Sequence, residues 1–94
     1  MTNMSESCVE SCEACIRDCL SKASPDHIAC VAACRDCIDA CQLRARFAAR
    51  ESPLRDLASE LCAAACAACA EACTKVGCEP CATTCRACAT GCAS

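Results

Sequence analysis

The chain has 94 residues and a formal net charge of −3, and 17 of its residues are cysteine and 21 are alanine. Only 14 larger apolar residues remain, which excludes an ordinary aliphatic core in a domain this small. The single aromatic residue and the acidic charge balance exclude a nucleic-acid surface, and no apolar run of about 18 residues is present to cross a membrane.

The first residues, MTNMSESCVESCE, have no basic stretch followed by an apolar one. We therefore expect no signal peptide and no twin-arginine export signal, and we expect a cytoplasmic protein. In a reducing cytoplasm, abundant cysteine binds metal or does redox work more often than it forms permanent disulfides.

Turn and cap residues divide the chain into helices. Ser24 and Ser52 each precede a proline, which is typical of an N-cap followed by proline at the first helical position. Gly77 suits the position just after a helix end. The predicted helices lie, in chain order, at about 3–22, 25–50, 53–75 and 79–92, in one domain over residues 1–94. Such short loops favour an all-α, antiparallel up-down-up-down four-helix bundle.

Each predicted helix carries the pattern C-x3-C-x2-C-x3-C. The four copies are Cys8, Cys12, Cys15, Cys19; Cys30, Cys34, Cys37, Cys41; Cys62, Cys66, Cys69, Cys73; and Cys81, Cys85, Cys88, Cys92. Steps of four, three and four residues place side chains on one face of a helix. The four helices should therefore line a common bore with sulfur, and only Cys78 lies outside the repeat.

Counting outward from each turn predicts four layers about 5 Å apart, with one cysteine from each helix. The predicted layers are Cys8, Cys41, Cys62, Cys92; Cys12, Cys37, Cys66, Cys88; Cys15, Cys34, Cys69, Cys85; and Cys19, Cys30, Cys73, Cys81.

Aliphatic residues beside the cysteine stripes predict two seams between neighbouring helices. The first seam joins the first two helices through Val9, Ile16, Leu20, Val31 and Ile38. The second joins the second and third helices through Leu43, Phe47, Leu54, Leu57 and Leu61. Small residues line the other seams, so the backbones there should approach closely.

Three interpretations of the cysteines compete. A core of bare thiols buries too little apolar area to fold so short a chain. Disulfides within a helix are disfavoured, because Cβ atoms at i,i+4 are roughly 5–6 Å apart and a disulfide needs about 3.5–4.5 Å. The same spacing suits two thiolates around one metal ion, about 4.5 Å apart.

Soft thiolates favour Cu(I), Zn²⁺ and iron–sulfur clusters. Four tetrahedral zinc sites would leave about −8 in a closed tube, and uncompensated buried charge is costly. Cu(I) can approach one ion per thiolate and near-neutrality, so charge balance favours many monovalent soft ions.

With four in-register cysteine stripes, the chain resembles the cytosolic four-helix copper storage proteins of bacteria. The resemblance implies storage of many Cu(I) ions without enzymatic turnover. It also implies homotetramers and copper supplied by a chaperone. We expect all 17 cysteines and His27 to be metal ligands.

His27 continues the second cysteine stripe backwards by one step of three residues from Cys30. Cys78 occupies the matching place on the fourth helix, beyond the Cys19 layer. The resemblance supports a ligand at the mouth that passes Cu(I) inward, and the alternative is a solvated residue near a helix start.

The opposite end carries Met4 near the stripe and four arginines, Arg44, Arg46, Arg50 and Arg55. A thioether is a Cu(I) ligand, but a methionine this close to the terminus is more often idle. We interpret the arginines as a solvated face.

Two alternatives to copper storage remain. One is a buffer for zinc or for thiolate-binding metals in general. The other is a thiol redox protein using Cys78-Glu79-Pro80-Cys81, a C-x-x-C that opens a helix.

Overall fold

The computed structural model describes residues 4–22 and 24–93, and within them every regular element is helical. The helices are α1 (Met4–Lys22), α2 (Pro25–Ala49), α3 (Arg55–Lys75) and α4 (Glu79–Ala93). Their bounds differ from the predicted ones by two residues or fewer, and residue 3, where the first helix was expected to begin, lies outside the described residues.

The helices form a closed ring. Each packs against the next along the chain, and α1 packs against α4. With such short connections, consecutive helices must run antiparallel. The bundle measures 40 × 25 × 18 Å, and the predicted all-α up-down-up-down architecture is confirmed.

The two serine caps differ. Ser24 caps α2 as predicted, because its side chain accepts a 3.3 Å hydrogen bond from the backbone N–H of His27, and proline follows it. The prediction for Ser52 is wrong by two residues. The hydroxyl oxygen of Ser52 accepts instead from the N–H of Leu54 at 3.1 Å, and α3 begins at Arg55 without a side-chain cap.

Two helices end in the same hydrogen-bonded motif. After α3, the N–H of Cys78 donates to the carbonyl of Cys73 at 2.8 Å, with Gly77 at φ 76° between them. After α2, the N–H of Ser52 donates to the carbonyl of Phe47 at 2.9 Å, with Glu51 at φ 51°. Both are Schellman motifs, which need a left-handed residue just past the helix. Ser52 thus closes the end of α2, and its hydroxyl and carbonyl oxygens accept from the N–H groups of Leu54 and Arg55 in a turn that precedes α3.

Sulfur takes the place of an aliphatic core. The sixteen repeat cysteines are all buried, and none exceeds 8% exposure. Of the predicted α1–α2 seam, Val9, Ile16, Val31 and Ile38 pack against this core, but Leu20 is 58% exposed, so its assignment is wrong.

The second predicted seam is also wrong in part. Leu54, Leu57 and Leu61 are 51%, 63% and 52% exposed. The small side chain of Ala58 takes the inward position on α3, at 3% exposure. The leucines therefore lie on the outer rim of the α2–α3 interface, where Leu43 and Leu61 line an open groove.

By length and mean hydropathy (1.3), α3 meets the criterion for a helix able to cross a membrane. This corrects the expectation drawn from uninterrupted apolar runs. The high hydropathy of α3 arises from alanine and cysteine, and the cysteines point into the bundle.

Candidate metal centre

A continuous network of thiols fills the bundle from end to end. Neighbouring sulfurs in it are 3.3–4.0 Å apart, both between helices and one turn apart on a single helix. All seventeen cysteines are free thiols. The bore is therefore a dense column of sulfur atoms in direct contact with one another.

The register between α2 and α3 is the predicted one. The facing sulfur pairs are Cys41 and Cys62 at 3.5 Å, Cys37 and Cys66 at 3.4 Å, Cys34 and Cys69 at 3.5 Å, and Cys30 and Cys73 at 3.7 Å. These pairs follow from matched distances to the turn, since Cys41 lies eight residues before the end of α2 and Cys62 seven after the start of α3.

The placement of α1 corrects the predicted layers. Cys8 was expected beside Cys41, Cys62 and Cys92, but its sulfur is 3.3 Å from that of Cys37 and 3.7 Å from that of Cys85. The other α1 cysteines are displaced in the same direction along the bore. Their contacts include Cys12 with Cys69 at 3.7 Å and Cys15 with Cys30 at 3.6 Å.

The cause is the first turn. Cys19 lies three residues before the end of α1, whereas Cys30 lies five residues after the start of α2. At about 1.5 Å per residue, α1 is offset by about 3 Å, or half the expected layer spacing. Cys30 therefore faces the gap between Cys15 and Cys19, and the three sulfurs form one group. The thiols form a staggered column and not four flat layers.

Several sets of four sulfurs are close enough to share one ion, all atoms lying within 4.8 Å of one another. They include Cys8, Cys12, Cys37, Cys85; Cys8, Cys41, Cys66, Cys88; Cys12, Cys34, Cys69, Cys81; and Cys15, Cys34, Cys73, Cys81. Neighbouring sets share members, such as Cys8, Cys12 and Cys34. Shared sulfurs suit ions bridged by thiolates and do not suit separate, closed four-sulfur sites.

The thiols perturb one another's ionisation. Hydrogen bonds from neighbouring thiols, led by Cys12, lower the pKa of Cys37 to about 6. Hydrogen bonding with Cys34 is the main cause that raises the pKa of Cys12. Burial is the main cause that raises the pKa of Cys19 and of Cys92 to about 11. At neutral pH Cys19 and Cys92 are therefore protonated, and a metal must displace their protons.

At one end of the bore, His27 and Cys78 are both half-buried. The Nδ1 atom of His27 is hydrogen-bonded to the hydroxyl of Ser24, so Nε2 is the ring nitrogen left for a ligand. Cys78 lies near the α1 sulfurs, since burial raises the pKa of Cys15 and of Cys19 and the proximity of Cys78 raises both further. This corrects the expectation that Cys78 lies wholly beyond the Cys19 layer. The offset of α1 brings Cys19 to the mouth.

The opposite end carries Arg44, and its assignment to a solvated face is wrong. Arg44 is half-buried with its Nε atom buried, because three residues after Cys41 is the next position on the α2 stripe. Arg46, Arg50 and Arg55 are exposed as expected. The side chain of Met4 lies outside the described part of the chain.

The geometry disfavours a redox pair at Cys78 and Cys81. Cys81 is 1% exposed, and its sulfur contacts Cys12 at 3.9 Å and Cys85 at 3.8 Å inside the bore. A dithiol that exchanges with partners needs an accessible sulfur.

A bundle whose entire interior is potential thiolate ligand belongs to the class of helical proteins built to hold many soft metal ions. The copper storage protein family model matches residues 1–94, so the chain belongs to this family.

Two solved structures match closely. The chain is 31% identical to apo-Csp3 (copper storage protein 3) from Bacillus subtilis, with a TM-score of 0.79 over 95% of this chain and 87% of that one. It is also 31% identical to the Cu(I)-bound copper storage protein BsCsp3, with a TM-score of 0.86 over 96% and 89% of the two chains. A comparison with curated proteins found no match.

Proposed function

We propose that this protein stores Cu(I), holding many ions per chain through the thiolates that line its bore. The observation that carries the proposal is the network of four-sulfur sets that share members along most of the column. Membership in the copper storage family supports it, and so does the match to a Cu(I)-bound relative.

The sharing of sulfurs favours Cu(I) over Zn²⁺. A structural zinc site takes four ligands of its own, whereas Cu(I) binds soft sulfur ligands and bridges between them. With Zn²⁺ in separate sites the column would keep a large negative charge in a buried space. Monovalent ions at close to one per thiolate remove that charge.

The proposed ligands are the 17 cysteines and His27. His27 and Cys78 lie at the end through which copper enters, because both are half-buried and offer a nitrogen and a sulfur outside the closed column. The role is storage without turnover, since the repeat cysteines are buried in one shared network of sulfurs that leaves them little access to a substrate.

We further propose a cytoplasmic location. Seventeen free thiols whose sulfurs approach to 3.3–4.0 Å would be oxidised in an oxidising compartment. By the family resemblance, the partners are a copper chaperone that delivers the metal and further copies of the chain in a homotetramer. The exposed leucines of α3 support self-association.

Anaerobic titration of the fully reduced protein tests the storage function. We expect binding to continue well past four equivalents of Cu(I), with Zn²⁺ failing to displace it. Saturation near four equivalents, or a preference for Zn²⁺, would identify a zinc or general thiolate buffer instead.

A further inference from the structure

The two ends of the sulfur column carry different groups. At one end His27 and Cys78 offer a nitrogen and a sulfur, and the nearby cation, Lys22, is exposed and paired with Asp18 at 3.0 Å. At the other, α2 continues beyond its last cysteine, and the next position on the same stripe is an arginine, Arg44.

Arg44 is held against the column. Its Nε atom is buried, and its guanidinium is close enough to Cys92 to lower the pKa of that thiol, against the larger effect of burial. Arg46, two residues further along α2, is exposed. Arg44 reaches the bore because it lies on the cysteine stripe of α2, whereas Arg46 does not lie on that stripe.

The last repeat cysteine at this end is also the least buried of the sixteen. Cys92 is 8% exposed, whereas every other repeat cysteine is at 2% or less. The offset of α1 contributes, because it moves Cys8 away from Cys92 and leaves this end with sulfurs from α2, α3 and α4. An ion approaching from solvent would find Cys92 accessible if nothing repelled it.

We propose that Arg44 is an electrostatic plug that prevents Cu(I) from entering or leaving the bore at the Cys92 end. The guanidinium is always protonated, and its repulsion of a monovalent cation is strong where water is scarce. The column therefore has a single working mouth, at His27 and Cys78. This inference rests on the proposed storage of Cu(I) and adds the direction of loading.

The test must separate two parallel routes. Neutralising Arg44 in the wild type adds a second mouth to one already open, so the loading rate should rise only about twofold. A variant with the proposed mouth blocked gives a larger effect. His27→Arg places a cation at that mouth and should slow loading about tenfold. Adding Arg44→Gln should then restore the rate to within about threefold of wild type.

Loading is measured anaerobically by stopped flow, with tetrakis(acetonitrile)copper(I) as the small cationic probe and thiolate-to-copper charge-transfer absorbance as the signal. The matched controls are Arg46→Gln and Arg44→Lys in the His27→Arg background. Neither should restore the rate, because the first removes an exposed charge and the second keeps the buried one. Arg44→Leu serves as a second neutral variant if Arg44→Gln lacks the helical circular dichroism of wild type.

Three results would overturn the proposal. The first is loading of His27→Arg at the wild-type rate. The second is failure of both Arg44→Gln and Arg44→Leu to restore loading, and the third is equal restoration by Arg46→Gln. Failure of the storage function itself would look different, since every variant and the wild type would saturate at a few equivalents of Cu(I).

Discussion

Each repeat cysteine has two roles, because its sulfur is both the core of the metal-free protein and a proposed ligand. Free cysteine packs as a small hydrophobe, and no repeat cysteine exceeds 8% exposure. We therefore expect the thiols to hold the bundle before any ion arrives, contrary to the expectation that bare thiols cannot fold so short a chain. Their hydrogen-bonded contacts also preorganise the ligand atoms. We therefore expect the position of a sulfur in the column to decide how many bound Cu(I) ions are lost when that cysteine is replaced.

Cys12 and Cys92 form a matched pair for testing this. Cys12 is shared by two four-sulfur sets, whereas Cys92 lies at the end of the column. Cys12→Ala should therefore lower the number of Cu(I) ions bound by more than Cys92→Ala does, because it breaks a bridge between neighbouring ions. Anaerobic titration of both variants provides the measurement. Equal losses would show that the ions are held independently.

Copper loading should release protons. The pKa values of Cys19 and Cys92 are raised to about 11, so both thiols are protonated at pH 7 and must lose a proton to bind. The apparent Cu(I) affinity should therefore rise with pH between 6 and 9. A pH indicator in weak buffer would report the protons released per copper ion, and no release would contradict binding by thiolates.

At the scale of the helix, the spacing of the cysteines and most of the cap residues predicted the structure correctly, because both act within a few residues. The steps of four and three residues placed every repeat cysteine on the buried face. Ser24 caps the start of α2 and Gly77 follows the end of α3, as predicted. The prediction for Ser52 failed because its oxygens accept hydrogen bonds in a turn that precedes α3, and the Ser-Pro signal does not distinguish such a turn from the helix itself. Glu51 could not be predicted as left-handed, since a charged residue rarely adopts that conformation.

Gly77 and Glu51 occupy equivalent positions after α3 and α2, at φ 76° and 51°. Gly77→Ala should destabilise the metal-free protein by about 1 kcal/mol, because a side chain is strained there although no atom lies within 4 Å. Glu51→Gly should stabilise it by about 0.5–1 kcal/mol for the converse reason. Urea unfolding under reducing conditions measures both, and shifts of the same sign would contradict the backbone explanation.

At the scale of the whole molecule, α2 and α3 extend beyond the region that α1 and α4 cover. Their outer rim carries Leu54, Leu57 and Leu61, each of which is more than half exposed. Arg50 lies over the ring of Phe47 at 4.8 Å and shields part of this region. The rim is the surface on which the proposed homo-oligomer depends.

Substitutions on that rim test self-association. Leu57→Lys and Leu61→Lys should reduce the mass measured by light scattering after size exclusion, because a buried lysine would be unpaired at a contact between copies. Leu20→Lys is the control, since Leu20 is 58% exposed near the opposite end of the bundle. A monomeric wild type, or equal dissociation by all three variants, would refute the role of the rim.

The four helices, the sulfur-lined face of each and the pairing of α2 with α3 could be predicted from the residues alone, because helical periodicity and matched turn distances are local properties. The offset of α1, the burial of Arg44 and the exposure of Leu54, Leu57 and Leu61 could be read only from the packed bundle. These depend on where each helix ends and how far its neighbours reach. A half-layer shift of one helix changes every sulfur contact it makes while leaving its cysteine pattern untouched.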